Sequence, residues 1–569
     1  MRFRRWSVVA LLPFLFLAVA CPRTKPTSTV APTDPPWFED VTDKLGLKFT
    51  HDCGPITSDY FMPQINGSGC AFFDFDGDGR LDIYLIHNGG PQGAKNQLFH
   101  QEPDGTFKDV SAGSGLDVAG FGMGVAIGDV NNDGKPDVVV TEYGGTRLFL
   151  NQGGGRFIEV TKAAGIDNPL WATSAAFFDF DRDGWLDLIV VNYLDYDKSI
   201  SCASGGKPDF CGPKTFKGTI ARLYRNLGPQ TGSLGVRFED VTLKAGLATE
   251  RGKGLGVLCA DFDGDGWPDI LCANDMMPNH LWINQRDGTF KEKAVSSGVA
   301  YMGNAAPGAN MGIGWADTDG KGLPDLFITH IVDETHTLWK QGPRGFFQDR
   351  TVAAGLASGP RSTGFGAAFV DFDRDGWPDL AYVNGAVFRN RNADESGPFW
   401  ARYAQRNQLF ANAGQGMFKE ISDSNSALCG FDNVGRGLAV GDFDNDGSPD
   451  LLITEISGKA RLLRNVAPAK DHWLAVRATM PKLNRDAYGA EVTVHAGGRA
   501  YWRLLNPGYS YCSSNDVRCH FGLATNERFD SIEVLWPDGT REEFPAGAAD
   551  REVLLCQGEG KPKPSKLTK

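Results

Sequence analysis

A nine-residue acidic phrase, Asp-x-Asp/Asn-x-Asp-Gly-x-x-Asp, returns six times along this chain of 569 residues, and a seventh copy is incomplete. Carboxylates at positions 1, 3, 5 and 9 around a glycine are the spacing with which a tight loop wraps oxygen ligands around calcium. The glycine at position 6 permits the left-handed backbone that such a loop needs. The phrase therefore predicts a set of repeated calcium loops.

The predicted ligands are the residues at positions 1, 3, 5, 7 and 9 of each complete copy, with position 7 offering its backbone carbonyl. In chain order they are Asp74, Asp76, Asp78, Arg80 and Asp82; Asp129, Asn131, Asp133, Lys135 and Asp137; Asp179, Asp181, Asp183, Trp185 and Asp187; Asp261, Asp263, Asp265, Trp267 and Asp269; Asp371, Asp373, Asp375, Trp377 and Asp379; and Asp442, Asp444, Asp446, Ser448 and Asp450. We expect about six Ca²⁺ ions, one for each complete loop.

The incomplete copy consists of Asp317, Asp319, Lys321 and Asp325, in which lysine takes the place of the position-5 carboxylate. Its ammonium group is expected to stand where the ion would, so this loop is predicted to be empty or weak. Asp-Gly turns also occur in ordinary hairpins. Six copies in register argue against that alternative, because so many unpaired carboxylates would repel one another.

The charge of the chain agrees with cation binding. It has 70 Asp and Glu against 57 Lys and Arg, a formal net charge of −13, and six divalent cations would offset most of it. We find no basic stripe or base-stacking motif in the sequence, and therefore predict no nucleic-acid partner.

The segments around each loop predict the elements that position it. Apolar stretches such as Gly69–Phe73 precede the loops, and β-branched runs such as Val138–Thr141 follow them. A Leu-aromatic-x-Asn phrase comes next, as in Leu281–Asn284, and then Phe-x-Asp/Glu-Val-Thr, as in Phe238–Thr242. Four strands in a unit of roughly 50 residues make one propeller blade. Seven units predict an all-β, seven-bladed propeller with every calcium loop on one face.

These repeats resemble the FG-GAP/VCBS calcium repeats of integrin-alpha-type propellers. More specifically, the chain resembles the cartilage acidic protein family through the phrases Cys211-Gly-Pro, Asn274–Asn284 and Ala309–Gly314. Its C-terminal part, including Gly508–Cys512 and His520–Leu523, resembles the ASPIC/UnbV module. The resemblance implies a calcium-binding propeller followed by a small C-terminal β domain, which alternating stretches such as Glu491–His495 predict independently.

The N-terminal segment predicts export. Three arginines precede an apolar run too short to span a bilayer, which is typical of a signal peptide. Ala18-Val-Ala-Cys21 resembles a bacterial lipobox, so Cys21 is predicted to be acylated; the alternative is ordinary cleavage near Ala20. The expected organisation is a signal peptide at 1–20, a Pro/Thr-rich linker at 21–36, the propeller at 37–470, the ASPIC/UnbV domain at 471–557 and a disordered tail at 558–569.

Ten cysteines follow Cys21 and allow five disulfides in an exported protein. Proximity in the sequence favours the pairs Cys202/Cys211 and Cys512/Cys519, and Cys259 and Cys272 flank one calcium loop, so they are a third candidate pair. Elimination then leaves Cys53/Cys70 and Cys429/Cys556.

No catalytic residue is predicted, since the sequence has no nucleophile elbow, His-Glu-x-x-His or phosphate loop. A near-cluster of His330, Asp333, Glu334 and His336 is expected to be an exposed loop rather than a second metal site. In the C-terminal module, either ligand contact or ordinary buried pairing remains open for the polar candidates Arg499, Arg503, Tyr511, Asp516, Arg518 and His520.

We predict an exported binding or adhesion scaffold, either a cell-envelope lipoprotein (outer membrane or periplasm) or an extracellular protein. Its partner is expected to be an extracellular or cell-surface protein or glycan, with the membrane reached through the N-terminal lipid anchor. Two alternatives remain: an extracellular enzyme with a site in the propeller funnel, and a structural lipoprotein of envelope assembly.

Overall fold

The computed structural model describes residues 34–230, 235–389, 397–468 and 471–564, and nearly all of its regular structure is β-strand. Seven four-stranded antiparallel sheets in this part of the chain form the propeller, and two further sheets form the C-terminal module. The predicted fold class is confirmed. Only short helical turns interrupt the strands: Pro63–Asn66, Thr161–Ala164, Pro213–Thr215, Leu247–Thr249, Ala294–Ser297, Phe399–Arg402, Ser422–Ser424 and Ser426–Cys429.

The strands follow the repeats of the sequence. The first, β1 (Phe38–Asp40), stands before the first repeat. Blades 1 to 3 contain β2 (Cys70–Phe73), β3 (Asp82–Leu85), β4 (Gln97–Gln101) and β5 (Phe107–Asp109); β6 (Gly122–Gly128), β7 (Asp137–Glu142), β8 (Gly145–Asn151) and β9 (Phe157–Glu159); and β10 (Ala172–Phe178), β11 (Asp187–Asn192), β16 (Arg222–Asn226) and β17 (Phe238–Asp240).

An insertion between β11 and β16 forms two small hairpins: β12 (Leu194–Asp195) with β15 (Lys217–Gly218), and β13 (Cys202–Ser204) with β14 (Lys207–Asp209). Blades 4 to 7 contain β18 (Gly254–Ala260), β19 (Asp269–Asn274), β20 (His280–Asn284) and β21 (Phe290–Glu292); β22 (Ile313–Ala316), β23 (Asp325–Ile328), β24 (Thr337–Gln341) and β25 (Phe347–Asp349); β26 (Gly364–Val370), β27 (Asp379–Asn384), β28 (Gln408–Asn412) and β29 (Phe418–Glu420); and β30 (Gly435–Gly441), β31 (Asp450–Glu455) and β32 (Arg461–Asn465).

The seventh blade closes the ring with the N-terminal strand. Strand β1 pairs antiparallel with β32, with Phe38 opposite Asn465 and Asp40 opposite Leu463. Because β1 is the fourth strand of a sheet whose other three come from the end of the propeller, the two ends of the ring are joined by a β-ladder. Closure of this kind leaves the disc with short, protected sheet edges.

One of the five predicted disulfides is present. Cys202 and Cys211 are bonded within the insertion, with their Cα atoms 5.0 Å apart. The other eight described cysteines are free, so the remaining pairings are wrong. Cys259 lies opposite Ile270 and Cys272 opposite Val257, so the two thiols are out of register on their ladder.

The other incorrect pairs join residues that the fold separates. Cys512 lies in the propeller channel, where its backbone N–H donates to Ser174 Oγ, whereas Cys519 lies on a strand of the C-terminal module. Cys53, Cys70, Cys429 and Cys556 are also free thiols. Cys21 lies outside the described residues.

The C-terminal module consists of two packed sheets. Its strands are β33 (His472–Met480), β34 (Arg485–Asp486), β35 (Glu491–Ala496), β36 (Arg499–Leu504), β37 (Cys519–Ala524), β38 (Arg528–Leu535), β39 (Arg541–Ala548), β40 (Arg551–Cys556) and β41 (Lys561–Pro562). One sheet contains β33, β34, β37 and β40, and the other has the order β36-β35-β38-β39-β41. Since β41 pairs with β39, regular structure continues beyond residue 557, where a disordered tail was expected to follow.

A loop of this module, residues 505–516, enters the central channel of the propeller; we call it the channel segment. It hydrogen-bonds to the innermost strand of every blade. In blade order, the bonds are Ser514 N–H to Cys70 O (3.0 Å), Val125 N–H to Cys512 O (3.2 Å), Cys512 N–H to Ser174 Oγ (3.1 Å), Asn506 Nδ2–H to Cys259 O (2.8 Å), Ser510 N–H to Ile313 O (3.0 Å), Ala367 N–H to Ser510 Oγ (3.1 Å) and Val440 N–H to Asn515 Oδ1 (2.9 Å).

Candidate metal centres

All seven acidic loops join the first and second strands of their blades, so they lie on the same face of the disc. We number them by blade. Within each loop the position-1 carboxylate organises the turn by accepting the backbone N–H of the position-6 glycine. In loops 3, 6 and 7 these bonds run from Gly184 to Asp179 (3.0 Å), from Gly376 to Asp371 (2.9 Å) and from Gly447 to Asp442 (2.9 Å).

The position-9 aspartate is the buried anchor of each loop. In loop 7, one carboxylate oxygen of Asp450 accepts the N–H of Phe443 at position 2 (3.1 Å), and the other accepts the N–H of Asn465 (2.7 Å). The same pair of bonds recurs in the other complete loops. Position 9 thus ties the loop to the third strand of its own blade.

The Leu-aromatic-x-Asn phrase has a second role that the sequence did not reveal. Its Asn side chain, or Gln in blades 1 and 5, donates to the position-2 carbonyl of the preceding blade. The donors and acceptors are Gln101 to Phe443, Asn151 to Phe75, Asn226 to Val130, Asn284 to Phe180, Gln341 to Phe262, Asn412 to Thr318 and Asn465 to Phe372, at 2.8–3.2 Å. These seven bonds run round the ring and connect each loop to the next.

Carboxylates of several complete loops lie close together. In loop 1, Asp74, Asp76 and Asp82 each place an oxygen within 4.8 Å of the others. Equivalent triplets occur in loops 3 and 6, and in loop 4 the residues at positions 1, 3 and 5 form the cluster. Such clusters of hard oxygen donors are the ligand set that calcium prefers.

Burial and mutual repulsion disfavour the ionised form of the buried carboxylates in these loops. Burial raises the pKa of Asp82 to about 8, and burial together with the charges of Asp179 and Asp181 holds the pKa of Asp187 well above its usual range. A bound cation would reverse these shifts by favouring the ionised carboxylates.

Four ligand oxygens also lie buried with no hydrogen-bond partner among the described residues, namely Oδ1 of Asp179, Asp181, Asp371 and Asp444. Buried polar atoms are nearly always paired, and an unpaired one requires an explanation such as a missing ion. The residues of the complete loops therefore fit a divalent cation.

The incomplete loop 5 contains two ammonium groups where the sequence predicted one. Lys321 Nζ lies 2.7 Å from Asp319 Oδ2, and Lys340 Nζ lies 2.7 Å from the same oxygen and 3.7 Å from Asp325 Oδ2. Lys340 occupies the variable position of the Leu-aromatic-x-Asn/Gln phrase of blade 5. Its loop-facing position can be recognised only once that strand is placed beside the loop.

The polar candidates of the C-terminal module are engaged within the protein. Arg499 Nη2 donates to Gly376 O (2.7 Å) and His520 Nε2 lies 2.7 Å from Gly447 O, both on the calcium-loop face. Arg518 bonds to Asp516 and to Asp442 O, and Arg503 bonds to carbonyls of its own module. In the channel, the Tyr511 hydroxyl donates to Asn66 O (2.8 Å). Arg499, Arg518, His520 and Tyr511 therefore join the module to the propeller.

The histidine near-cluster also differs from expectation. His330 and His336 are buried, and His336 Nδ1 accepts the backbone N–H of His330 (2.9 Å), whereas Asp333 is exposed. The two histidines fill space between blades 5 and 6 instead of lying on an open loop.

A cleft of about 530 Å³ separates the module from the acidic loops of blades 1 and 2. It is lined by Asp76 and Lys135 from those loops and by Arg477, Arg485 and Glu552 from the module. Charged side chains of the loops and of the module therefore face the same space.

The chain was compared with known protein families and relatives. The family model described as FG-GAP-like repeat matches residues 74–140, 129–190, 261–328, 317–382 and 399–453, together just over half of the chain, and the model described as ASPIC and UnbV matches residues 480–562. Cartilage acidic protein 1 of Homo sapiens is 25% identical over 559 residues, covering 93% of this chain and 76% of the human protein. The Mus musculus protein is 26% identical over 338 residues, covering 57% of this chain and 48% of the mouse protein.

Among solved structures, rhamnogalacturonan lyase YesW gives a TM-score of 0.37 at 15% identity, covering 71% of this chain and 72% of the lyase. The BP39L lectin from Burkholderia pseudomallei gives a TM-score of 0.40 at 12% identity, covering 71% of this chain and 97% of the lectin.

Proposed function

This chain belongs to the FG-GAP-like repeat proteins and carries an ASPIC and UnbV domain, and from that premise we propose that it is an exported, calcium-stabilised binding scaffold. Homology to cartilage acidic protein 1 fits an extracellular or surface binding protein. The proposal of calcium binding is supported by the buried carboxylate oxygens in loops 3, 6 and 7 that have no hydrogen-bond partner among the described residues.

Calcium would act as a structural element of the blades. The six complete loops supply its ligands from positions 1, 3, 5, 7 and 9, and each position-9 aspartate joins its loop to a buried strand. A bound ion would remove the repulsion among these carboxylates and hold the turn between the first and second strands. Removing it would leave clustered, desolvated charges on one face of the disc.

The experiment measures calcium in the mature protein from Pro22 by elemental analysis, together with the melting temperature before and after chelation. We expect about six ions per chain, one for each complete loop, and a large drop in melting temperature on chelation. Asp444→Ala should lose one ion, whereas the matched control Asp43→Ala, an exposed aspartate outside the loops, should lose none. Fewer than three ions, or an unchanged melting curve, would exclude structural calcium.

A binding role is favoured over an enzyme with a site in the funnel by one observation. The channel segment enters the funnel and hydrogen-bonds to all seven innermost strands, so this space holds protein where a substrate would have to enter. We propose an extracellular or cell-surface protein or glycan as the partner. Capture of a specific envelope component by the calcium-loaded protein supports binding, whereas calcium-dependent self-association alone would favour the assembly role.

We also propose that the protein is held at the cell envelope by a lipid on Cys21. No helix in the described ranges has the length and hydropathy needed to cross a bilayer. The lipobox-like Ala18-Val-Ala-Cys21 supports the anchor. Cys21→Ser should move the protein from the membrane fraction to the soluble fraction, and an unchanged distribution would refute the anchor.

A further inference from the structure

The C-terminal module lies against the position-6 glycines of some acidic loops and not of others. A Cβ atom built on Gly447 would lie 2.0 Å from the Trp473 ring, and one on Gly376 would lie 2.8 Å from the Tyr501 ring. Leu483 and Asn484 approach Gly184 and Gly134 in the same way. In loops 1 and 5 the equivalent glycines have no described atom within 4 Å of that position. At position 6 the module therefore contacts loops 2, 3, 6 and 7 and does not contact loops 1 and 5.

Contact at this glycine fixes a specific peptide group. In loop 7, Gly447 donates its N–H to Asp442 Oδ2 (2.9 Å), and its carbonyl accepts a hydrogen bond from His520 Nε2 (2.7 Å). The following N–H, of Ser448, donates to Asp446 Oδ1 (2.8 Å). The peptide between positions 6 and 7 is thus held by the module on one side and by a predicted ligand on the other.

The same arrangement occurs in two other loops. In loop 6, Arg499 Nη2 donates to Gly376 O (2.7 Å), and its guanidinium lies 3.5 Å from the centre of the Trp377 ring. In loop 3, Arg485 Nη2 donates to Gly184 O (3.3 Å). Three position-6 carbonyls of the calcium-loop face therefore accept bonds from basic or imidazole side chains of the module.

We propose that the C-terminal module is a positioning element for the calcium loops of blades 3, 6 and 7, which it holds in their ion-binding conformation. This inference rests on the calcium binding proposed above. Ordering a loop peptide costs conformational entropy. Because the docked module already orders this peptide, calcium binding loses less entropy. Because linkage is reciprocal, calcium in these loops must strengthen the docking of the module by the same factor.

Loop 7 offers the simplest test. Arg485 and Arg499 place a positive charge close to the predicted ion positions of loops 3 and 6, and this charge opposes calcium binding. Substituting either arginine would remove the donor and the charge together, so part of the loss of calcium affinity would be masked. His520 makes the same bond with an imidazole ring. His520→Phe keeps a ring of similar size beside Trp473 and removes the donor, and His520→Gln restores an N–H donor.

The measurement is the number of calcium ions per full-length mature chain, read by native mass spectrometry during a calcium titration. We expect His520→Phe to bind one ion about tenfold more weakly, the value of one hydrogen bond to a fixed carbonyl, and His520→Gln to recover part of that affinity. Asp444→Ala removes the loop 7 ion, so His520→Phe should have no further effect in that background. Asp76→Ala removes the ion of loop 1, which the module does not contact at position 6, and there His520→Phe should keep its full effect.

Two results would overturn the inference: unchanged ion binding in folded His520→Phe, or an effect of that substitution that persists in the Asp444→Ala background. If His520→Phe does not fold, His520→Leu, which also lacks a donor and changes no charge beside the ion, is compared with the wild type and in the Asp444→Ala background in its place. The calcium content of the wild-type chain is measured before any variant is compared. A wild-type chain that binds no calcium would refute the proposed function and not this inference alone.

Discussion

At the residue scale, Lys321 distinguishes loop 5 from the six complete loops. Lys321 replaces a ligand within loop 5, and Lys340 reaches the same carboxylate from the neighbouring strand. The sequence indicated the first because it interrupts a repeat. The second stands at a position that varies between blades: Ile283 and Leu150 are the equivalents in blades 4 and 2, whereas Arg225 and Arg464 in blades 3 and 7 also pair with the position-3 carboxylates of their loops.

We expect Lys321→Asp to add about one calcium ion, because it restores the position-5 carboxylate, and because Arg225 and Arg464 lie against complete loops at the position of Lys340. The double variant Lys321→Asp/Lys340→Ile, which copies the residue of blade 4, should bind the same number of ions. Calcium counting by elemental analysis checks this, with Lys340→Ile, which keeps Lys321, as the control. An additional ion in the double variant but none in Lys321→Asp would show that Lys340 excludes the cation.

At the element scale, the third strand of each blade does more than fill a sheet. Its last residue, Asn or Gln, donates its N–H to the position-9 aspartate of its own blade and its side chain to the preceding blade. In blade 6, Asn412 Nδ2 donates to Thr318 O and Pro378 O, both at 3.0 Å. The repeat of Asn in the sequence is explained by this bridge between blades.

Asn412→Ala should lower the free energy of unfolding by about 1–3 kcal/mol, because two buried carbonyls lose their donor. Asn412→Gln should cost less, since Gln101 and Gln341 make the equivalent bridge in blades 1 and 5. Chemical denaturation of the calcium-loaded protein measures both. Equal losses for Ala and Gln would mean that packing, and not the bridge, determines the effect.

At the scale of the whole molecule, the C-terminal module serves as the hub of the ring. The channel segment forms hydrogen bonds with all seven innermost strands. The polar groups that these strands turn toward the channel could not bond to one another across an open channel. Tyr511 is fully buried, with its ring 4.9 Å from that of Phe365 and its hydroxyl bonded to Asn66 O. The propeller and the module are therefore expected to unfold together.

Tyr511→Ala should lower the free energy of unfolding by about 3–5 kcal/mol, as expected for a large aromatic side chain removed from a closed interior. Tyr511→Phe, which loses only the hydroxyl, should cost about 1 kcal/mol. Urea denaturation followed by tryptophan fluorescence should show one transition in each variant. Separate transitions for propeller and module would contradict the role of the channel segment as a hub.

The sequence by itself determined the number of blades, the order of strands within them and the positions of the acidic loops. These features repeat with a short period, so each copy supports the interpretation of the others. It also predicted the Cys202–Cys211 disulfide, which joins residues close in the chain. Local pattern and short separation were sufficient for all of these.

Only the tertiary structure decided how the module sits on the disc, which loops it covers and which cysteines remain apart. Tyr511 and Asn66 are separated by 445 residues, and His520 and Gly447 by 73. Neither pair belongs to a repeated sequence motif from which the contact could be predicted. Contacts of this kind arise from the packing of two complete surfaces against each other, and a single sequence carries no periodic signal for them.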